Sequence, residues 1–150
     1  MSAYRYEPIE MCQPVLKLQH RIIYADTDAG GVVYYGNYMR LLEMGRTEFM
    51  RSMLGVPYQK LQKEGVIFPV SEVFCRYKTS AVYDDLVEIY TSLFNFTGFT
   101  IRFHYEIRRT EGGRLLVRGY TVHAAVDREG RLCRIPESLL TAMTRLEKGD

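Results

Sequence analysis

Tyr24-Ala25-Asp26-Thr27-Asp28-Ala29-Gly30-Gly31-Val32-Val33-Tyr34-Tyr35-Gly36-Asn37-Tyr38 is the stretch on which the fold turns. Behind it, Val15 to Tyr24 is rich in β-branched and aliphatic residues and reads as a strand, which the turn formers Ala25 to Gly31 bring to an end. Ahead of it the period changes. Tyr38, Leu41, Leu42, Gly45, Phe49 and Met53 recur at close to i, i+3, i+4, i+7, while Arg40, Glu43, Arg46 and Arg51 fall mostly elsewhere. That spacing predicts a long amphipathic helix from about Tyr34, stopping near Gly55-Val56-Pro57, with one or two further turns between Tyr58 and Glu64.

The remainder reads as strands. Val70 to Ser80 and Leu86 to Thr97 flank a turn at Tyr83-Asp84-Asp85, followed by Thr100 to Thr110 and Arg114 to Asp127. In the third of these, Ile101, Phe103, Tyr105 and Ile107 point one way and Arg102, His104, Glu106 and Arg108 the other, the period of a sheet with one buried face. Glu111-Gly112-Gly113 and Arg128-Glu129-Gly130-Arg131 supply turns, and Pro136 opens a short terminal helix carrying Leu139, Leu140 and Met143. The order strand, long helix, four or five strands, short helix gives one α+β domain over 1–150, with its core at about 15–137. One helix cannot cover both faces of such a sheet, so a second copy of the chain is expected to cover the rest.

The composition narrows the function. A net charge of +2 is too small for non-specific nucleic-acid binding. Eight arginines against four acidic residues between Arg102 and Arg134 favour an anionic ligand or else form solvated strand faces. Cys12, Cys75 and Cys133 are an odd number without metal spacing, so neither a disulfide framework nor a metal site is expected. Met1 to Gln13 lacks a continuous apolar core, no stretch approaches the roughly 20 apolar residues that span a bilayer, and the chain reads as cytoplasmic. No G-x-S-x-G elbow, phosphate loop, dinucleotide fingerprint or H-E-x-x-H occurs.

What stands out chemically is the strand-to-helix junction. Asp26 and Asp28 precede two glycines and a helix start, whose free N–H groups carry the positive end of the macrodipole. A carboxylate there serves as nucleophile or as general base for water, with backbone N–H groups holding the oxyanion. It serves equally as a helix cap beside glycines that only turn the chain.

The run from Tyr24 to Tyr38 resembles the signature of the 4-hydroxybenzoyl-CoA thioesterase family, and within it the acyl-CoA thioesterase branch associated with the Tol-Pal system. The likeness continues through Leu42-Glu43-Met44-Gly45-Arg46-Thr47-Glu48-Phe49 and Tyr83-Asp84-Asp85-Leu86-Val87-Glu88-Ile89. The resemblance implies a hotdog fold, an antiparallel sheet of five to six strands wrapped around one long central helix. It also implies a homodimer or homotetramer with shared sites, and hydrolysis of an acyl-CoA thioester without a cofactor. Asp28 becomes the catalytic carboxylate, nucleophile or base, and the backbone N–H of Tyr35 polarises the thioester oxygen. Gly31, Val33, Tyr34, Asn37 and Tyr38 become the substrate-binding positions, Asn37 and Tyr38 chiefly by fixing the helix start and packing the pocket.

Two departures matter. Many members of the Tol-Pal-associated branch have histidine where this chain has Tyr35, so only the backbone role carries over. The basic cluster that holds CoA phosphates in the 4-hydroxybenzoyl enzyme is replaced by Asn95-Phe96-Thr97-Gly98-Phe99-Thr100, leaving Arg102, Arg108 or Arg109 for that task. Glu43 and Glu48, on the helix, are expected to pair with Arg40, Arg46 or Arg51. Two alternatives stand beside hydrolysis: a non-catalytic acyl-CoA-binding protein, for which Asp28 is dispensable, and a dehydratase. The dehydratase pairs a histidine with a carboxylate, and no histidine lies near Asp28 in sequence.

Overall fold

Strands β1 (Leu16–Arg21), β2 (Val70–Tyr77), β3 (Leu86–Phe96), β4 (Thr100–Arg109) and β5 (Leu115–Ala124) form one antiparallel sheet. Its order is β1-β3-β4-β5-β2. The helices are α1 (Tyr38–Ser52), α2 (Tyr58–Lys63) and α3 (Glu137–Glu147). The computed structural model describes residues 9–149. Residues 1–8, part of the N-terminal stretch whose sequence argues against a signal peptide, lie outside the described residues, as does residue 150. Within them no helix is long and apolar enough to cross a membrane.

The sheet wraps around α1 because both present apolar faces at their own period. From α1, Tyr38, Leu41, Leu42, Gly45, Phe49 and Met50 are buried, and from β4, Ile101, Phe103, Tyr105 and Ile107. Met50 takes the place in the stripe that the spacing gave to Met53, which is only partly buried because the helix ends at Ser52. Gly45 is where helix and sheet come closest. A Cβ there would stand 2.3 Å from the Thr91 Oγ1 and 3.1 Å from the Ile89 side chain, so α1 lies directly on β3.

Three expectations change. β1 stops at Arg21 rather than Tyr24, because Asp26 accepts the Ile23 N–H at 2.9 Å and folds Tyr24–Asp26 into a 3₁₀ turn. β2 and β3, adjacent in sequence, do not pair: β2 lies against β5, and β3 between β1 and β4. The segment between them crosses instead to the Asp28 loop, where the Val33 N–H donates to the Ala81 carbonyl at 2.9 Å and Val32 bridges Val82. Finally, the outer face of β4 is not simply solvated. His104 is fully buried, its Nδ1–H donating to the Glu10 carbonyl at 2.7 Å and its Nε2 accepting from Arg102 at 3.0 Å, beneath a segment that also ties the Cys12 N–H to Ser92. This segment supplies part of the cover expected from a second copy.

On the inner face His123 is likewise buried. Its Nδ1–H donates to the Phe68 carbonyl at 3.0 Å, and its Nε2 accepts from Thr121, whose oxygen is 2.7 Å from the Tyr105 hydroxyl. Burial, reinforced by the Arg46 charge, pushes its pKa down from 6.5 to about 4. The unfolded chain therefore takes up a proton that the folded chain refuses. Stability from this group is complete above 6.5 and is lost as pH falls from there to about 4. The full window is worth up to about 3 kcal/mol. Urea unfolding at pH 7.5 and pH 5 is expected to show a smaller stability loss in His123→Asn than in the parent chain; equal losses would refute the assignment.

Candidate functional site

The Asp28 loop is a small hairpin. Thr27 bridges Val33, the Asp28 N–H donates to the Val32 carbonyl at 2.9 Å, and the Gly31 N–H returns to the Asp28 carbonyl at 3.0 Å. Gly31 closes the turn at φ +82°, a conformation side-chain-bearing residues rarely adopt. The Asp28 carboxylate is exposed and accepts the Gly30 N–H at 2.8 Å. It does not cap a helix, since neither the 3₁₀ turn Tyr35–Asn37 nor α1, which continues from it, has a side-chain cap. Its structural bond is instead local, to the turn that Gly31 closes.

The two aspartates of the motif are chemically unlike. Asp26 is 5% exposed; its Oδ2 accepts the Ile23 N–H and lies 3.1 Å from the His20 Nε2, and its Oδ1 is 3.8 Å from Arg40. Its carbonyl accepts twice more, from the Tyr34 N–H at 3.0 Å and from the Asn37 side-chain amide at 2.9 Å. His20 thus lies near the loop in space but is bound to Asp26 rather than Asp28.

Beyond the loop, Tyr35 opens the helical run, where N–H groups have no partner inside the helix. Among the described residues no hydrogen bond takes its N–H. Its side chain is 63% exposed and packs beside Tyr34 and Tyr77, with ring centroids at 4.7 Å and 6.3 Å; Tyr38 continues the group, 5.5 Å from Tyr77. Val33 and Tyr38 themselves are buried, the Tyr38 hydroxyl accepting the Ala81 N–H at 3.1 Å, so they form the wall behind the loop. Tyr77 was not picked out in sequence. Its signal is its place at the end of β2, on the same face as Cys75 and Val73.

Tyr77 and Tyr38 are held in their neutral form. Burial, with Cys75 adding to it, pushes Tyr77 up to about 12, and burial likewise raises Tyr38. Both hydroxyls stay protonated at neutral pH.

The proposed phosphate arginines are dispersed. Arg102 lies on the outer sheet face, its guanidinium 3.9 Å from the Tyr120 ring centre, and Arg108 pairs there with Glu106 at 3.0 Å. Arg109 is close to the site but is held by Asp85 at 3.2 Å and the Ser80 carbonyl at 3.1 Å. Glu48 does pair with Arg51, at 2.8 Å, whereas Arg40 reaches Asp26, and no ion pair of Glu43 or Arg46 occurs among the described residues. These two instead line a cavity of about 230 Å³ with Thr47, Tyr58, Gln62 and Phe68. Within the described residues, three or more possible metal ligands do not cluster anywhere.

Comparison with known proteins gives the family and the fold. Residues 23–143 match the thioesterase-like superfamily. The acyl-CoA thioester hydrolase YbgC of Escherichia coli O6:H1 is 37% identical over 91 residues, 61% of this chain and 67% of that protein. The crystal structure of a hypothetical protein, TT1821 from Thermus thermophilus, superposes with a TM-score of 0.81 at 32% identity, over 87% of this chain and 98% of that one. The DHNA-CoA thioesterase from Staphylococcus aureus superposes with a TM-score of 0.80 at 26% identity, over 91% and 95% of the two chains. With five antiparallel strands curled around α1 and the match running through the Asp28 loop, this chain belongs to the thioesterase-like superfamily and has its hotdog fold.

Proposed function

We propose that this chain hydrolyses acyl-CoA thioesters to the free acid and CoA, with Asp28 as nucleophile or general base and the Tyr35 N–H as oxyanion donor. One observation carries the reading. An exposed carboxylate and an uncommitted helix-start N–H issue from the same short loop, and both lie within the residues that match the thioesterase-like superfamily. The loop needs no metal for this chemistry: the N–H at the helix terminus stabilises the charge that develops on the thioester oxygen, and Asp28 or the water it activates supplies the attacking oxygen. The free thiols Cys12, Cys75 and Cys133 accord with a cytoplasmic enzyme.

The decisive assay is thiol release from a panel of CoA thioesters running from short aliphatic to long and aromatic acyl groups. Turnover of at least one member well above the spontaneous rate is the expected result. Binding of acyl-CoA with no thiol release from any member would favour the non-catalytic alternative.

The same reading includes a homodimer or homotetramer. β2 is an edge strand whose Val70, Val73 and Tyr77 are 46%, 48% and 45% exposed, the kind of unpaired apolar edge that invites a second strand. It also carries Tyr77 to the aromatic group beside Tyr35, so a partner on β2 adjoins the site. Light scattering is expected to give a multiple of the monomer mass, and Val73→Lys is expected to reduce it to the monomer. A monomeric parent chain at micromolar concentration would remove this part of the proposal.

A further inference from the structure

The geometry points to Asp26 as a positioning residue for hydrolysis at Asp28, acting through Asn37 and Tyr34 on the direction of the Tyr35 N–H. This inference rests on the catalytic reading of Asp28 and goes beyond it by giving the other aspartate of the motif a function.

Asp26 joins three segments. Through its carboxylate it is fixed to the end of β1 by the Ile23 N–H (2.9 Å) and His20 (3.1 Å), and it faces Arg40 in the first turn of α1 at 3.8 Å. Through its carbonyl it holds the residues on either side of the oxyanion donor, the Tyr34 N–H at 3.0 Å and the Asn37 amide at 2.9 Å. The backbone around Tyr35 is therefore tied by a single oxygen at the residue before it, Tyr34, and at Asn37 two residues after it, and that oxygen belongs to a residue whose own side chain is anchored in the interior.

The arrangement has the form oxyanion stabilisation demands. An N–H contributes to the transition state only if it already points at the place where charge develops, because reorienting it during the reaction returns the gain. A helix-start N–H left to itself frays with the first turn. Here fraying would have to break two bonds to the Asp26 carbonyl. Asn37, expected to help form the substrate pocket, has its amide committed to this clamp.

Asp26 is buried, and among the described residues no hydrogen bond joins it to Asp28, so its loss is expected in kcat rather than in KM. The test is steady-state thiol release by Asp26→Ala, Asp26→Asn and Asn37→Ala, with the fold monitored by circular dichroism and thermal unfolding. Asp26→Ala is expected to lower kcat about 30-fold or more with KM within about threefold, approaching the cost of losing one oxyanion donor. Asp26→Asn keeps an oxygen for the Ile23 N–H and is expected to recover most of that loss. Asn37→Ala removes one half of the clamp without disturbing the Asp26 anchor, and about a tenfold drop in kcat is expected. It provides the answer if Asp26→Ala does not fold.

Folded Asp26→Ala and Asn37→Ala with kcat within about threefold of the parent chain would overturn the inference. So would a loss confined to KM, which would make these residues part of substrate binding. Failure of the underlying reading looks different. An active Asp28→Asn refutes the catalytic assignment itself, whereas an inactive Asp28→Asn alongside fully active Asp26 and Asn37 variants refutes only the positioning role.

Discussion

Replacing Asp28 with asparagine is expected to lower kcat by at least about 100-fold while leaving the fold intact. The substitution is well matched to the site. Asp28 is exposed, and its carboxylate accepts the Gly30 N–H, a bond an asparagine oxygen can accept equally. The backbone bonds of the hairpin, Asp28 N–H to Val32 and Gly31 N–H to the Asp28 carbonyl, do not involve the side chain. What the amide lacks is the negative charge required of either a nucleophile or a base. Asp28→Ala is expected to be equally inactive, with a stability loss near 1 kcal/mol from the freed Gly30 N–H. The Tyr35 N–H survives in both variants, so some rate above the spontaneous one should remain. Turnover near that of the parent chain in either variant would exclude Asp28 from the chemistry.

The largest effect on stability is expected at Phe49, far from the reacting atoms. Phe49 is fully buried on α1, its ring 5.8 Å from that of Phe103 and edge-on at 75°. Truncation to alanine removes the apolar transfer energy and leaves a cavity between helix and sheet, a cost of about 3–5 kcal/mol. Against a typical total of about 5–15 kcal/mol this is a large fraction, and it corresponds to a fall in Tm on the order of 10 °C. The hole cannot close by moving the helix inward, because Gly45 one turn earlier already brings α1 onto Thr91 and Ile89. Phe49→Leu keeps most of the volume and should cost less than about 1.5 kcal/mol. A loss under about 1 kcal/mol in Phe49→Ala, read by chemical denaturation, would mean that the core repacks and that the contact between α1 and β3 is not rigid.

These predictions draw unequally on what the sequence makes visible. The alternation in β4 and the stripe on α1 are local patterns imposed by burial on one face, and both reappear in the structure, with Met50 for Met53 and the buried His104 as the exceptions. The loop is legible for the same reason, since glycines and turn formers write their geometry into a few consecutive positions. Strand order is not local. The turn at Tyr83-Asp84-Asp85 is real, with Asp84 at φ +72°, yet it joins strands that do not pair, because the chain before it is used to back the Asp28 loop. His104 illustrates the same limit: period 2 assigns it to the outer face correctly but says nothing of a remote segment that covers it. The aspartate pair is the most instructive. As residue types Asp26 and Asp28 are equal; the three-dimensional surroundings make one a buried, anchored carboxylate and leave the other exposed.

The strand order also bears on how the molecule is assembled. β3, β4 and β5 are consecutive, their nearest paired residues only 5 positions apart (Phe96 with Ile101) and 7 apart (Arg108 with Leu115). The edges are remote: β2 meets β5 across 40 to 53 positions and β1 meets β3 across 65 to 75. Loop closure disfavours such contacts until a surface exists to receive them, so a central meander is expected to form first and the two edges to dock afterwards. The Asp28 loop hangs between β1 and α1, and its aromatic neighbour Tyr77 ends β2. Both halves of the site are thus carried by the late-arriving edges. A partly folded chain would hold the central strands without the assembled loop, which ties completion of the candidate site to completion of the fold.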